Sequence, residues 1–153
     1  MTTTVDGLST QQLCYRADPQ ANTIAWLVWH LSRIQDDHLA AAFGTEQVWI
    51  TDGWLDRFAL PFEPAAHGYG HTTEDVSAVR AGADLLADYH DATHAQTVRL
   101  LTGISDADLD RIVDERWDPP VILGVRLVSV IGDDLQHVGQ AAFIRGLLER
   151  SNN

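Results

Sequence analysis

Three long amphipathic segments and the lack of a strand pattern predict an all-α protein, most simply an antiparallel helical bundle. Apolar residues recur every three or four positions in each segment, which is the spacing of one face of a helix. No repeat, low-complexity run or Gly/Ser linker divides the 153 residues, so we expect a single domain over positions 1–153.

The first predicted helix covers residues 23 to about 43. Asn22 is a favourable N-cap, and Gly44 is a favourable stop because glycine readily adopts the left-handed conformation that ends many helices. Five residues at helical spacing form its apolar face, and three polar residues fall outside that face. The apolar residues are Ile24, Leu27, Val28, Leu31 and Ile34, and the polar ones are Arg33, Gln35 and Asp36.

The second predicted helix begins after Thr72-Thr73, continues to about Thr102 and stops at Gly103. A short helix capped by Ser105 is predicted over residues 106–113. Pro119-Pro120 then favours extended backbone, because proline restricts the residue before it. The last helix is predicted from about 122 to 150, with one line of side chains formed by Val130, Asp133, His137, Ala141, Ile144 and Leu148.

A connection of nearly thirty residues, positions 44–71, separates the first two helices. It carries a possible helical turn at 54–58 and a glycine-rich stretch at 67–71. Connections of this length in small domains are usually functional covers or flexible insertions.

The long helices also predict an oligomer. Helices of roughly 20 to 30 residues span about 30 to 45 Å, which is long for three helices without a fourth partner. Residues 8–13 supply only a short N-terminal helix. Either this helix caps the bundle or a second subunit covers the exposed flank, and our hypothesis is the second, a homodimer.

Charge and composition exclude several classes of function. Ten basic residues against 22 acidic ones give a net charge of −12, which disfavours binding to nucleic acids or to anionic membranes. We expect no signal peptide and no spanning helix, and hence a soluble, cytoplasmic protein. Cys14 is the single cysteine, so a bound metal would need imidazole and carboxylate ligands.

Asp133 and His137 form the most informative pair, because they lie four residues apart on an otherwise apolar helix face. A carboxylate on a core-facing line needs a partner. That partner is either a metal cation or a protein group, such as an arginine or a buried donor. His30 lies beside the apolar face of the first helix, where a facing helix could bring it to the pair. Two nitrogens and one oxygen would leave an open coordination position, as in catalytic zinc sites.

The other histidines are less specific. His90 and His94 form a second i, i+4 pair, and we expect His90 to face the central cavity and His94 the rim. His67 and His71 have the same spacing in a glycine-rich loop, where spacing fixes no geometry. That loop is either a mobile lid or an ordinary polar connection.

The segments AWLVWHL (25–31) and DDLQHVGQ (133–140), the second followed by FIR (143–145), resemble the DinB/YfiT-like superfamily. The similarity is closest to its actinobacterial branch of mycothiol-dependent proteins. LSTQQL (8–13) and RADP (16–19) are similar to the family's lead-in to its first ligand-bearing helix.

This resemblance implies a four-helix bundle, here with a short N-terminal helix, that holds a divalent metal, most often zinc or nickel. Its ligands would be His30, Asp133 and His137. Asp133 departs from the glutamate or histidine usual there. The resemblance does not extend to the additional C-terminal domain of the related isomerases, so we do not expect their reaction.

The function implied is that of a metal-dependent thiol S-transferase or a related isomerase-like enzyme. The metal would bind a low-molecular-weight, mycothiol-type thiol and lower its pKa, and an electrophilic small molecule would accept the sulfur. We assign proton transfer to His90, with a loop histidine as the alternative, and binding of the co-substrate to Trp26, Trp29 and Gln136. The alternatives are a metal-dependent hydrolase of the same superfamily and a non-catalytic, stress-associated bundle with a vestigial metal site.

Overall fold

The computed structural model describes residues 2–151, and most of them are helical, which confirms the helical character of the predicted fold. None of the described helices combines the length and apolar character needed to cross a bilayer. The elements, in chain order, are α1 (Thr2–Val5), α2 (Thr10–Leu13), α3 (Ile24–Phe43), α4 (Val48–Thr51), α5 (Trp54–Phe58), α6 (Thr73–Ala78), α7 (Ala83–Leu101), a 3₁₀ helix (Asp106–Asp110), β1 (Ile112–Asp114), β2 (Val121–Ile122) and α8 (Leu123–Ser151).

The ends of α3 follow local rules. Thr23, rather than Asn22, is the N-cap, and its hydroxyl accepts a hydrogen bond of 3.1 Å from the backbone N–H of Trp26. Gly44 ends the helix in the left-handed conformation, with φ of 66°, as the sequence analysis predicted.

Helix α3 lies at the centre of the fold, so the prediction of one apolar face was wrong. Arg33, Gln35 and Asp36 are all buried, because α7, α8 and the long connection pack around α3 on several sides. Their polar atoms are largely paired inside the protein. The Asp36 carboxylate accepts hydrogen bonds from the backbone N–H groups of Val48 and Trp49 and from the hydroxyl of Tyr89.

The predicted second helix is in fact two helices, α6 and α7. Residues 79–82 between them are not helical, and Val79 and Gly82 have extended backbone conformations. Val79 and Ala81 are nonetheless buried. The apolar pattern therefore continues across the break, and periodicity alone does not reveal it.

The predicted short helix over 106–113 is also different. A 3₁₀ helix ends at Asp110, and β1 then pairs antiparallel with β2, a small sheet that the sequence analysis did not predict. Strands of three and two residues are too short to show alternation. Helix α8 agrees with its prediction, and Val130, Ala141, Ile144 and Leu148 on the predicted line are buried.

Helix α8 runs antiparallel to α3, whereas α7 runs in the same direction as α3. Ser32 lies beside His90 and Gln35 beside Thr97, so residue numbers rise together along α3 and α7. The prediction of a simple antiparallel bundle is therefore correct for α8, which runs opposite to both α3 and α7, and wrong for the α3–α7 pair. A parallel neighbour also explains the long connection, because the chain must return to the starting end of α3.

Candidate metal centre

The structure brings the three predicted ligands together between α3 and α8. His30 lies in the middle of α3, and Asp133 and His137 lie one turn apart on α8. One candidate ligand atom from each side chain lies within 4.8 Å of the other two. Within residues 2–151, this is the group of three or more potential ligands that is compact enough for one ion.

Both histidines present the same nitrogen to the centre of this group. The Nδ1–H of His30 donates to the carbonyl oxygen of His67 at 2.5 Å, which leaves its Nε2 free. Nδ1 of His137 lies 3.1 Å from Oε1 of Gln140, and its Nε2 lies 3.5 Å from Oδ1 of Asp133. Metal-binding histidines are typically oriented by such bonds from the ring nitrogen that does not bind the metal.

Two tryptophans hold the ligand helix and the loop together. The ring of Trp26 stacks on His30, with centroids 4.5 Å apart and planes 14° from parallel. Its indole N–H donates to Nδ1 of His71 at 3.1 Å. The ring of Trp29 stacks on the ring of His71, with centroids 5.7 Å apart. Both tryptophans are buried, so the structure places them in the packing around His30.

Gly68 allows the loop to approach the ligand helix closely. Its φ of +99° lies in the region that favours glycine. An added Cβ would lie 2.6 Å from Nδ1 of His30 and 3.0 Å from Cζ2 of Trp26. The loop is therefore fitted against the ligand, and its neighbour His67 contributes a backbone carbonyl to the site.

Two of the three side chains, His30 and Asp133, are in the charge state that suits a bound cation. Burial lowers the pKa of His30 to about 4, so its imidazole is neutral and able to donate a lone pair. Burial raises the pKa of Asp133, but the hydrogen bond and charge of His137 outweigh it and hold that pKa below its usual value. The same hydrogen bond raises the pKa of His137.

One atom of the group lacks a partner among the described residues. Oδ2 of Asp133 is buried and makes no hydrogen bond. A buried carboxylate oxygen without a hydrogen bond lowers the stability of the folded protein, and a cation between the three side chains would give this oxygen a partner. The donor set of two imidazoles and one carboxylate, together with this orphaned oxygen, fits a divalent metal.

The remaining predicted residues lie elsewhere. His90 is half-buried and lines a cavity of about 400 Å³ between α3, α7 and α8, and none of the three ligand residues lines it. Burial lowers the pKa of His90 to about 4. His94 is exposed, as expected for the rim. Gln136 is exposed on α8, where its amide donates to the carbonyl of Gly132.

Sequence reasoning missed the roles of the loop residues. The HxxxH spacing of His67 and His71 indicated a role for their imidazole rings. In the structure it is the backbone carbonyl oxygen of His67 that accepts the hydrogen bond from His30. The signal that could have found this contact was Gly68, because a glycine between two histidines indicates close backbone approach.

Comparisons with known proteins agree with the resemblance read from the sequence. The profile of the mycothiol-S-transferase family matches residues 1–150. The chain is similar to a solved structure described as a conserved protein of Enterococcus faecalis, with a TM-score of 0.86 and 32% sequence identity. That similarity covers 94% of this chain and 85% of the other. A comparison with curated proteins gives no match.

Proposed function

Because the chain belongs to the mycothiol-S-transferase family, we propose that it transfers the sulfur of a mycothiol-type thiol to an electrophilic small molecule. The observation that carries the proposal is the group formed by His30, Asp133 and His137, whose ligand atoms lie within 4.8 Å of one another. A divalent cation bound there, zinc or nickel, supplies Lewis acidity that lowers the pKa of a thiol.

Neighbouring residues hold the candidate ligands in the orientation that metal binding needs. The carbonyl of His67 and the amide of Gln140 orient the two imidazoles, and Trp26 fixes the plane of the His30 ring. Asp133 contributes the negative charge that favours a cation. Three protein ligands leave room for a further ligand, which is the arrangement of catalytic rather than structural sites.

In the reaction, the thiol loses its proton, a sulfur–carbon bond forms, and the electrophile releases its leaving group. We keep His90 as the candidate for accepting the proton, because it is the half-buried histidine that lines the cavity between α3, α7 and α8. Burial lowers its pKa to about 4, so the imidazole is neutral at pH 7 but is a weak base there. Trp26 and Trp29 would contribute to thiol binding through the shape they impose on the site, and Gln136 from its exposed position on α8.

The first experiment is metal analysis of protein purified without a histidine tag. We expect about one divalent ion per chain in the wild type and in His94→Ala, a control that removes an exposed histidine from another helix. His137→Ala should lose the ion while remaining folded by circular dichroism. A wild type without stoichiometric metal would contradict the enzymatic proposal and favour a vestigial site.

The second experiment separates transfer from hydrolysis. The probe is 1-chloro-2,4-dinitrobenzene, whose chloride leaves when a thiol sulfur bonds to the ring. We expect the metal-loaded protein to accelerate this substitution only when mycothiol is added. Consumption of an electrophile without thiol would instead indicate a hydrolase, in which the open position activates water.

A further inference from the structure

The cavity that His90 lines, called the His90 cavity below, is separate from the candidate metal centre. It lies between α3, α7 and α8, and its volume of about 400 Å³ is within the range of small-molecule sites. None of the three candidate ligands lines it. Most of its wall is apolar, and this part is formed by Leu39, Leu101, Leu127, Val130 and Ile131.

Asp134 adds a carboxyl group to this apolar wall. It follows the candidate ligand Asp133 on α8, but Asp134 lines the His90 cavity and Asp133 does not. Oδ1 of Asp134 is buried and has no hydrogen-bond partner among the described residues. Within the described part of the chain no arginine lines the cavity, and the sequence contains no lysine. A buried carboxylate oxygen without a partner is unfavourable, so a ligand that supplies a donor or a positive charge would stabilise it.

The imidazole of His90 supplies a second acceptor. Burial lowers the pKa of His90 to about 4, so the ring is neutral and carries a single N–H. The hydroxyl of Ser32 donates to the carbonyl of Val28 at 2.8 Å, and Nδ1 of His90 lies 3.4 Å from that hydroxyl oxygen. Because the only proton of the hydroxyl is already used, Nδ1 of His90 is the donor in this contact. Nε2 therefore keeps its lone pair and can accept a hydrogen bond.

Gln35 of α3 supplies a third acceptor. Its Nε2 donates to the hydroxyl oxygen of Thr97 at 2.7 Å, and that hydroxyl donates to the carbonyl of Thr93 at 2.9 Å. These bonds use the hydroxyl proton of Thr97 and one amide N–H of Gln35, whereas the amide oxygen remains an acceptor. Each of the three helices around the cavity thus contributes one side chain with an acceptor.

This combination of acceptors and apolar surface favours one class of small molecule. A primary ammonium group carries one positive charge, three N–H donors and no acceptor. An anion would be repelled by the carboxylate, and a hydroxyl group would bring only one donor. The net charge of −12 adds a long-range attraction for cations. The apolar walls require the rest of the molecule to be apolar.

We propose that the His90 cavity binds a small primary amine in its ammonium form, with an apolar ring or chain against the walls formed by α7 and α8. This ligand is different from the thiol, and the inference does not depend on the proposed function. Asp134 is the residue that selects for the positive charge.

The test compares 2-phenylethylamine with 2-phenylethanol, which have the same apolar part and differ in charge. Affinities are measured by isothermal titration calorimetry at pH 8, because burial and the charge of Asp133 raise the pKa of Asp134 to about 7. We expect the wild type to bind the amine roughly tenfold more tightly than the alcohol, as a charge-assisted hydrogen bond allows. Asp134→Asn should abolish this preference. Asp91→Asn is the matched control, because Asp91 is exposed on α7 and does not line the cavity.

Two further variants locate the binding site. An amine could also bind a metal ion through its nitrogen, so His137→Ala, which should lose the ion, is expected to bind the amine as the wild type does. Leu101→Trp enlarges a side chain of the cavity wall. We expect this variant to weaken the binding of both ligands and to keep wild-type metal content.

Equal affinities of the wild type for the amine and the alcohol, or an unchanged preference in Asp134→Asn, would overturn the inference. Loss of amine binding in His137→Ala would place the amine on the metal ion and would overturn it as well. If Asp134→Asn does not fold, Leu101→Trp decides, because an unchanged amine affinity in that variant would exclude the cavity as the site.

Discussion

Replacing Gly68 by alanine tests whether the loop orients the metal-binding histidine. The added Cβ would lie 2.6 Å from Nδ1 of His30, 3.0 Å from Cζ2 of Trp26 and 3.2 Å from Cζ3 of Trp29. Relief of this overlap requires the loop to move away from α3. That movement breaks the hydrogen bond from His30 to the carbonyl of His67.

The expected magnitude has two parts. An alanine held at φ of +99° costs about 1 to 2 kcal/mol of backbone strain. Overpacking against two tryptophans adds about 1 to 3 kcal/mol, and loss of the hydrogen bond adds about 1 kcal/mol. Metal affinity should fall about 10- to 100-fold, as when other groups that orient metal-binding histidines are removed.

Gly70→Ala is the matched control, because Gly70 has φ of +76° and a Cβ there would meet nothing within 4 Å. The assay combines urea unfolding with metal affinity from chelator competition. We expect Gly68→Ala to be about 2 to 4 kcal/mol less stable than Gly70→Ala, and Gly70→Ala to keep wild-type metal affinity. Equal stabilities, or unchanged metal affinity in Gly68→Ala, would refute the role given to the loop.

Three further predictions address other parts of the fold. Tyr89→Phe removes the hydroxyl that donates to buried Asp36 and should cost about 1 to 3 kcal/mol in urea unfolding, whereas Tyr15→Phe, at an exposed tyrosine, should cost almost nothing. The hydrogen bonds and charge of Arg116, with the charge of Arg126, hold the pKa of Asp114 below the ordinary 3.8, so its stabilisation is present above that pH and is lost as the pH falls below it. The stability difference between wild type and Asp114→Asn should therefore be larger at pH 7 than at pH 3, and a constant difference would contradict this reasoning. His90→Gln should retain wild-type metal content, because His90 lines a cavity that contains none of the ligands, and loss of the ion would show that the two places are coupled.

Predictions within one helix agree well with the structure. The i, i+4 relation of Asp133 and His137 holds because both lie on α8, and four of the side chains predicted on the same line are buried. The end of α3 at Gly44 was also predictable, since a left-handed glycine cap is a local property.

Predictions that depended on distant contacts were weaker. Periodicity placed Arg33 and Asp36 outside the apolar face of their helix, yet both are buried. The partners that make burial possible, Tyr89 and the backbone at 48–49, are far away in sequence. The break at 79–82 was hidden because buried extended residues continued the apolar pattern.

The sequence by itself determined a helical protein with a carboxylate and an imidazole on one helix face, because helix periodicity depends on neighbouring residues. Its motifs also indicated the family before any geometry was available. Only the tertiary structure decided that His30 meets Asp133 and His137, and that the carbonyl of His67 holds the His30 ring. These contacts join α3, α8 and the long connection, and their distances depend on how those elements pack rather than on local pattern.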